Sequence, residues 1–568
     1  MNIAFNVSDL LGILPVLIVI AFAALCALAE VFAKPGQSRG FVGTLGLIGA
    51  LIAFAANAWQ WHGLDGAYSV PLFGGGLVMD AFSTYFNFLF LAGTALTLVL
   101  STKYLKEHGS DLGEFHALVL FAAAGMMLMA QSRDLIILFI ALELMSVSIY
   151  VLVAFVRKSR RGAEAALKYF LIGAFASAIL LYGIALLYGA TNSVELTTIR
   201  RALDADPSLA NGLLVRLGMV LVLVGIGFKV ALAPFHLWTP DVYDGAPSPV
   251  TGFMASCVKA AGFAVLIRVF TVTFGYDAME FGAGGNGWVG VLYLLAIVTM
   301  FAGNLAALPQ SNVKRILAYS SIAHAGYLLV GVVAGSFGNL TIDTEAAATL
   351  GPNGAILFYL MVYAFSTFLV FSALSLFGKD GEEHTHLSDL AGMGFRRPFV
   401  GLALAVGMLS LAGMPPLGGF FGKFYLFREA MLSGRPEVTI LVLVAIVNSM
   451  IGLYYYLRVL VFLYMKEPTR EVPVYSSRGA TTVGLISLAL VFLLGLFPGG
   501  LLTMAQRGIG SLRPVVTTPT ASLTATEPQT PPAASRQAGS RAPRLELKAP
   551  PAQLKLATPI NLKATTTH

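Results

Sequence analysis

The sequence predicts an all-α polytopic membrane protein of about fourteen transmembrane helices, arranged as two inverted five-helix repeats that each contain a broken helix. Three observations carry that reading. Hydrophobic side chains make up 57% of the 568 residues and charged ones only 11%. Soluble domains hold about 25% charged residues, so this chain has too little polar material to cover a water-exposed surface. The apolar residues gather into fourteen runs of spanning length. Between the runs, sixteen Lys and Arg fall in the loops after odd-numbered runs and six in the loops after even-numbered ones. Cytoplasmic loops show such an excess, and the alternation would collapse if one run had been missed early in the chain. It also places both termini away from the cytoplasm.

The first run, residues 11–32, ends in Ala27-Leu28-Ala29, which looks like a signal-peptide cleavage site. No Lys or Arg precedes it, as a signal's basic n-region requires, so a retained span is expected. The others lie at 41–60, 78–102, 115–131, 134–156, 166–190, 212–237, 249–273, 288–308, 313–334, 353–378, 398–430, 438–465 and 481–503. Beyond Arg513 the composition turns to Pro, Thr, Ala and Ser without an aromatic residue, which predicts a disordered tail over 514–568. Cys26 and Cys257 sit inside apolar runs and form no C-x-x-C, so neither a disulfide framework nor a zinc or iron–sulfur site is expected. The net charge of +7 follows membrane topology, with most basic residues flanking apolar runs, and no nucleic-acid partner is expected.

Two runs carry both a lysine and a helix-breaking proline. In 212–237, Lys229 stands five residues before Pro234; in 398–430, Lys423 stands seven residues after Pro416. Proline lacks an N–H and crowds the preceding turn, so the helices should break near Ala231 and within Met414-Pro415-Pro416-Leu417-Gly418-Gly419. The order of lysine and proline is reversed, and the two are the seventh and twelfth runs, an odd offset of five, so they cross in opposite directions. Interrupted helices in matching positions of an inverted repeat mark transport sites near the bilayer midplane. The expected organisation is a three-helix segment (1–114), a first repeat (115–273), a second repeat (288–465), a final helix (481–503) and the tail.

Ionisable residues deep in apolar runs suggest function, because each is costly there without a partner or water. Glu143 is an acid in such a position and needs a cation; Lys168 and Lys229 are the candidates. Lys168 also has Glu164 one turn before it, and the plain alternative is a surface i,i+4 pair. Lys259, His324 and Lys423 occupy three further runs, and His236 follows Lys229 by about two turns if the helix continues. Arg268, nearer a run's end, reads as an interfacial anchor. His384 and His386 lie among Glu382, Glu383 and Asp389 in a hydrophilic loop that reads as solvated rather than metal-binding. The tyrosines between Leu453 and Leu457 read as packing or an interface belt. Desolvation favours a neutral lysine and a neighbouring carboxylate a charged one, so moving the carboxylate switches the lysine. A row of such groups suits lateral proton transfer.

The stretch PFHLWTPDVYDGAPSPVTGFMA, Pro234 to Ala255, closely resembles the signature of the proton-conducting antiporter-like membrane subunits of respiratory complex I. Asn304 to Tyr327 and Gly413 to Phe427 are similar to other stretches of that family, and the resemblance covers residues 10 to 505. It implies a membrane-arm subunit that translocates protons and is coupled to quinone reduction elsewhere in the complex. The resemblance places no redox cofactor in this chain; NADH, FMN, iron–sulfur clusters and quinone would be handled by partner subunits. Glu143 and Lys168 match the family's charged pair, Lys229 the lysine of the first broken helix, Lys259 the connecting lysine and Lys423 the lysine of the second. His236 and His324 match histidines on or beside the axis. The implied partners are the other membrane-arm subunits, especially neighbouring antiporter-like and small ones, within a cell inner (plasma) membrane. The alternative is a subunit of a secondary cation/proton antiporter without redox coupling.

Overall fold

Twelve helices in the computed structural model are long and apolar enough to cross a bilayer; the residues described are 6–34, 37–64, 69–274, 287–336, 350–468 and 471–512. In chain order the principal helices are α1 Leu14–Val31, α2 Gly40–Gly63, α3 Ala81–Glu107, α4 Glu114–Gln131, α5 Leu135–Val153 and α6 Arg160–Thr191. Then come α7 Leu213–Lys229, the short α8 Thr239–Gly245, and α9 Ser248–Phe274. The second half holds α10 Trp288–Ala307, α11 Val313–Ser336, α12 Gly351–Leu374, α13 Pro398–Ala412, α14 Gly418–Met431, α15 Pro436–Met465 and α16 Arg478–Leu496. Chain contacts divide the molecule into 1–515 and 516–568. The expected disordered tail lies outside the described residues.

The runs at 212–237 and 398–430 are the ones that do not form a single long helix. Helix α7 stops at Lys229, immediately before the break, so His236 does not continue along its face. Ala231 has φ 61°, the left-handed region that a residue with a Cβ rarely adopts. The interrupted backbone finds partners: Ala233 N–H donates to Thr299 Oγ1 at 3.0 Å, and Trp238 Nε1 donates to the Phe228 carbonyl at 3.1 Å. In the second break α13 ends on Gly413 at φ 87°, and the Gly419 N–H donates to Ser410 Oγ at 3.2 Å.

Burial is uneven. Helices α9, α11 and α12 are enclosed by protein along almost their whole length, whereas α1, α6 and α16 leave apolar faces outside. Small residues let the inner helices approach: a Cβ on Gly326 of α11 would lie 2.9 Å from the Met300 backbone nitrogen of α10. In α9 a π-helical turn over Met254–Val258 immediately precedes Lys259, a local widening that recurs at functional sites. Arg268 is not an interfacial anchor. Its guanidinium forms a two-pronged pair with Asp80 at 2.8 and 2.9 Å, both side chains being almost wholly buried. Asp80 is also the N-cap of α3, so the pair ties that helix end to α9.

Candidate functional site

Helix α5 places Glu143, Ser146 and Tyr150 at three- and four-residue spacing, one above another on a single face. Glu143 Oε1 accepts from Ser177 Oγ of α6 at 2.5 Å. Lys229 Nζ donates to Ser146 Oγ at 2.7 Å and stands 5.5 and 5.4 Å from the ring centres of Tyr150 and Tyr169, within cation–π range. Among the described residues no ion pair joins Glu143 to Lys229. Ser146, one turn from the acid, takes the amine instead.

Lys168 is placed elsewhere. It pairs with Glu164 at 2.7 Å and Asp241 at 3.0 Å, with its side chain 43% exposed. Ser177, which touches Glu143, is nine residues further along α6, about 13.5 Å at 1.5 Å per residue. The helix rise therefore separates Lys168 from Glu143, and the structure joins it to Asp241 and Glu164. His236 lies half-buried in the first break, with a buried Nδ1 that meets no hydrogen-bond partner among the described residues.

Lys259 reaches across to α11, where its ammonium donates to both the hydroxyl and the carbonyl oxygen of Ser321. One turn on, His324 uses both ring nitrogens: Nδ1 is 2.5 Å from Tyr359 Oη and Nε2 is 2.9 Å from Tyr456 Oη. Tyr456 Oη in turn meets Ser320 Oγ at 2.5 Å. A narrow space with room for about one water is lined by His324, Tyr359, Ser366 and Ser410 and by Gly419 and Gly422 of the second break. Lys423 Nζ donates to the Ala412 carbonyl, freed where α13 ends, and to Ser449 Oγ, each at 2.9 Å. Its ammonium lies 5.3 Å from the Tyr327 ring, whose hydroxyl accepts from Asn304 Nδ2 at 3.0 Å.

Exposure decides whether these groups face protein or lipid. Lys229, Lys259, His324 and Lys423 retain 4, 2, 2 and 7% of their accessible surface. They face inward. Each buried ammonium has one or two oxygen partners in place of a full hydration shell, and hydroxyls or an imidazole stand beside it. A neutral amine, a hydroxyl and a neutral imidazole can each take up one proton and release another, which is what a transfer chain needs.

Several members of this network went unread in the sequence. Ser146 and Ser321 had a usable signal: a hydroxyl one helical turn from a buried ionisable residue. Tyr359, inside an aromatic-rich run, had none. Tyr455 and Tyr456 are buried packing residues that are also hydrogen-bonded, while their neighbour Tyr454 points outward at 59% exposure. The hydrophilic loop is likewise not wholly solvated, since Glu383 accepts from the fully buried Lys314 at 2.6 Å. Among the described residues no cluster of three metal-ligating side chains forms around His384 and His386 or elsewhere.

Residues 132–452 match the family model described as "NADH:quinone oxidoreductase/Mrp antiporter, TM". The chain is 43% identical over 493 residues to NADH-quinone oxidoreductase subunit N 2 of Roseiflexus castenholzii, covering 86% of this chain and 94% of that protein. It is 40% identical over 506 residues to NADH-quinone oxidoreductase subunit N of Trichlorobacter lovleyi, covering 89% and 98%. A chain of respiratory complex I from Thermus thermophilus superposes with a TM-score of 0.70 at 37% identity, covering 87% of this chain and 99% of that one. A chain of the Mrp complex from Dietzia superposes at 0.73 with 22% identity, covering 89% and 97%, and is alike in fold alone.

Proposed function

We propose, from the premise that the chain belongs to the NADH:quinone oxidoreductase/Mrp antiporter membrane family and within it to the subunit N group, a proton path built from its own buried side chains. The protein is a multi-pass, proton-translocating membrane-arm subunit of NADH-quinone oxidoreductase. The observation that carries the path is the enclosure, within protein, of two lysines beside two helix breaks, with Lys259 and His324 buried as well.

Protons enter near the first break, where His236 offers an unpartnered nitrogen, and load Lys229. Glu143 sets the charge state of that lysine from one helical turn away, through Ser146. Lys168 contributes to the field from the rim, held by Asp241 and Glu164. From Lys259 a proton passes by way of Ser321 to the His324 neighbourhood. The imidazole takes a proton on one nitrogen and releases one from the other, with Tyr359 and Tyr456 as the adjoining hydroxyls. From His324 the proton moves through the narrow space beside the second break, which has room for about one water, towards Lys423, and release follows. Lys229, Lys259 and Lys423 are thus the transfer residues, with Glu143 and Lys168 setting the field around the first of them and His236 and His324 beside them.

The two interrupted helices, α7–α8 and α13–α14, support an inverted repeat of 115–273 and 288–465, preceded by three helices over 1–114 and followed by 481–503. The chain works as part of a translocase in the cell inner (plasma) membrane, with both termini on the non-cytoplasmic side. It holds no redox cofactor of its own; NADH, FMN, iron–sulfur clusters and quinone belong to partner subunits, and neighbouring antiporter-like and small membrane subunits flank it. A secondary cation/proton antiporter without redox coupling has less support, because the relatives at about 40% identity are subunit N proteins. Proteoliposomes of the purified complex separate the two. NADH and quinone should drive proton uptake without sodium. A sodium gradient that moves protons at the same rate without NADH would overturn the redox-coupled reading.

A further inference from the structure

Residues Asp241 to Ser248, the far half of the first broken helix and the start of α9, are fastened to the beginning of α11 at three points and, through Glu383, at a fourth. Arg315 Nη1 donates to Asp241 Oδ1 at 2.7 Å, and Asn312 Nδ2 donates to Asp244 Oδ1 at 2.9 Å. Lys314 Nζ donates to the Ala246 carbonyl at 2.5 Å and to Glu383 Oε2 at 2.6 Å, while the other oxygen of Glu383 accepts the Ser248 N–H at 2.9 Å. The segment lies between Lys229 and Lys259, and α11 carries Ser321 and His324. Whatever moves α8 therefore moves the partners of Lys259 as well.

Charge and burial make this more than a surface contact. Lys314 is fully buried, and its ammonium has a carboxylate and a carbonyl as partners. Asp241 is shared between two cations on different helices, Lys168 of α6 at 3.0 Å and Arg315 of α11 at 2.7 Å. A carboxylate with two partners can release one and remain neutralised by the other.

We propose that Asp241 and Arg315 are positioning residues: their ion pair, backed by Lys314 and Glu383, is a joint that keeps the half-helix α8 in register with Ser321 and His324, so that Lys259 can hand protons from the first half of the path to the second. The proposal rests on the proton-path reading above. It assigns the acidic residues of the Trp238–Pro247 stretch a mechanical role that the buried lysines alone do not explain.

The test uses the whole complex in native membranes, with NADH-driven proton uptake normalised to assembled complex. Asp241→Asn and Arg315→Gln should each lower the per-complex rate several-fold, and the exchanged pair Asp241→Arg with Arg315→Asp should recover at least half of it. A merely structural role would lower the amount of complex and leave the per-complex rate unchanged, which would overturn the joint. So would an exchanged pair no better than either single variant. If the neutral variants do not assemble, Arg315→Lys decides. It keeps the charge and loses the planar fork, so a per-complex rate below wild type supports the joint and a wild-type rate overturns it. Lys229→Ala in the same membranes separates the two levels. Loss of uptake there, with wild-type rates in Asp241→Asn and Arg315→Gln, sinks the joint and leaves the path standing.

Discussion

Replacing Glu383 with glutamine isolates the buried half of that joint. The change leaves the Lys314 ammonium with neutral oxygen partners and no anion, in a site where the lysine has no accessible surface and the acid keeps 13%. Removing one member of a buried pair costs about 3–5 kcal/mol, because the remaining charge stays desolvated. Detergent-solubilised complexes inactivate irreversibly, so the quantity to measure is a rate. If half of that cost is already lost at the rate-limiting step, about 1.5–2.5 kcal/mol accelerates inactivation by roughly 10- to 70-fold. The pH dependence has a definite sign. Burial pushes the Glu383 carboxyl up, but the Lys314 ammonium and the Tyr104 hydroxyl outweigh it and hold it below its ordinary value. A depressed carboxyl stabilises fully above the unfolded value of about 4.3 and loses that contribution only as pH falls through the lower folded value. The ratio of inactivation rates, Glu383→Gln over wild type, should therefore stay constant from pH 8 to pH 5.5. A ratio near one, or one that declines across that interval, would refute the reasoning.

Three further outcomes follow from the geometry. Tyr456→Phe deletes the hydroxyl between His324 Nε2 and Ser320 Oγ and should slow NADH-driven proton uptake several-fold per assembled complex; an unchanged rate removes Tyr456 from the path. Arg268→Gln strands the buried Asp80 carboxylate, a loss of about 3–5 kcal/mol that should appear as little subunit in the membrane, and adding Asp80→Asn should restore much of it. Gly419→Ala places a methyl against the Ser410 carbonyl oxygen at the start of α14; overpacking of this kind costs about 1–3 kcal/mol. Uptake and assembly should fall with it, while Gly499→Ala, which meets nothing within 4 Å, leaves both unchanged.

The architecture was legible because its causes are local. Run length, loop charge and the chemistry of proline are written into consecutive residues, and they located every long helix and both breaks. Partner identity is not local. Lys168 reads equally well as a mate for Glu143 or for Glu164, and only the rise of α6 together with the path of α8 decides for Glu164 and Asp241. Arg268 near a run's end looks like an anchor until α3 is seen to bring Asp80 beside it from 188 residues away. Tyr359 and Tyr456 lie on separate helices, and nothing in either run marks it as a ligand of His324. The same holds for Glu383, whose hydrophilic neighbours disguise a carboxylate enclosed by Lys314 and Tyr104. Hydroxyls near charged residues were the recoverable part, since Ser146 and Ser321 stand one turn from Glu143 and His324.

The most direct test of the proton path compares wild-type complex with Lys229→Ala in proteoliposomes, following internal acidification against NADH oxidised, with subunit content measured in the same preparation. The account predicts an assembled complex whose proton uptake is severely reduced, since the amine beside the first break is where the path begins. Wild-type uptake by a fully assembled Lys229→Ala complex would contradict it.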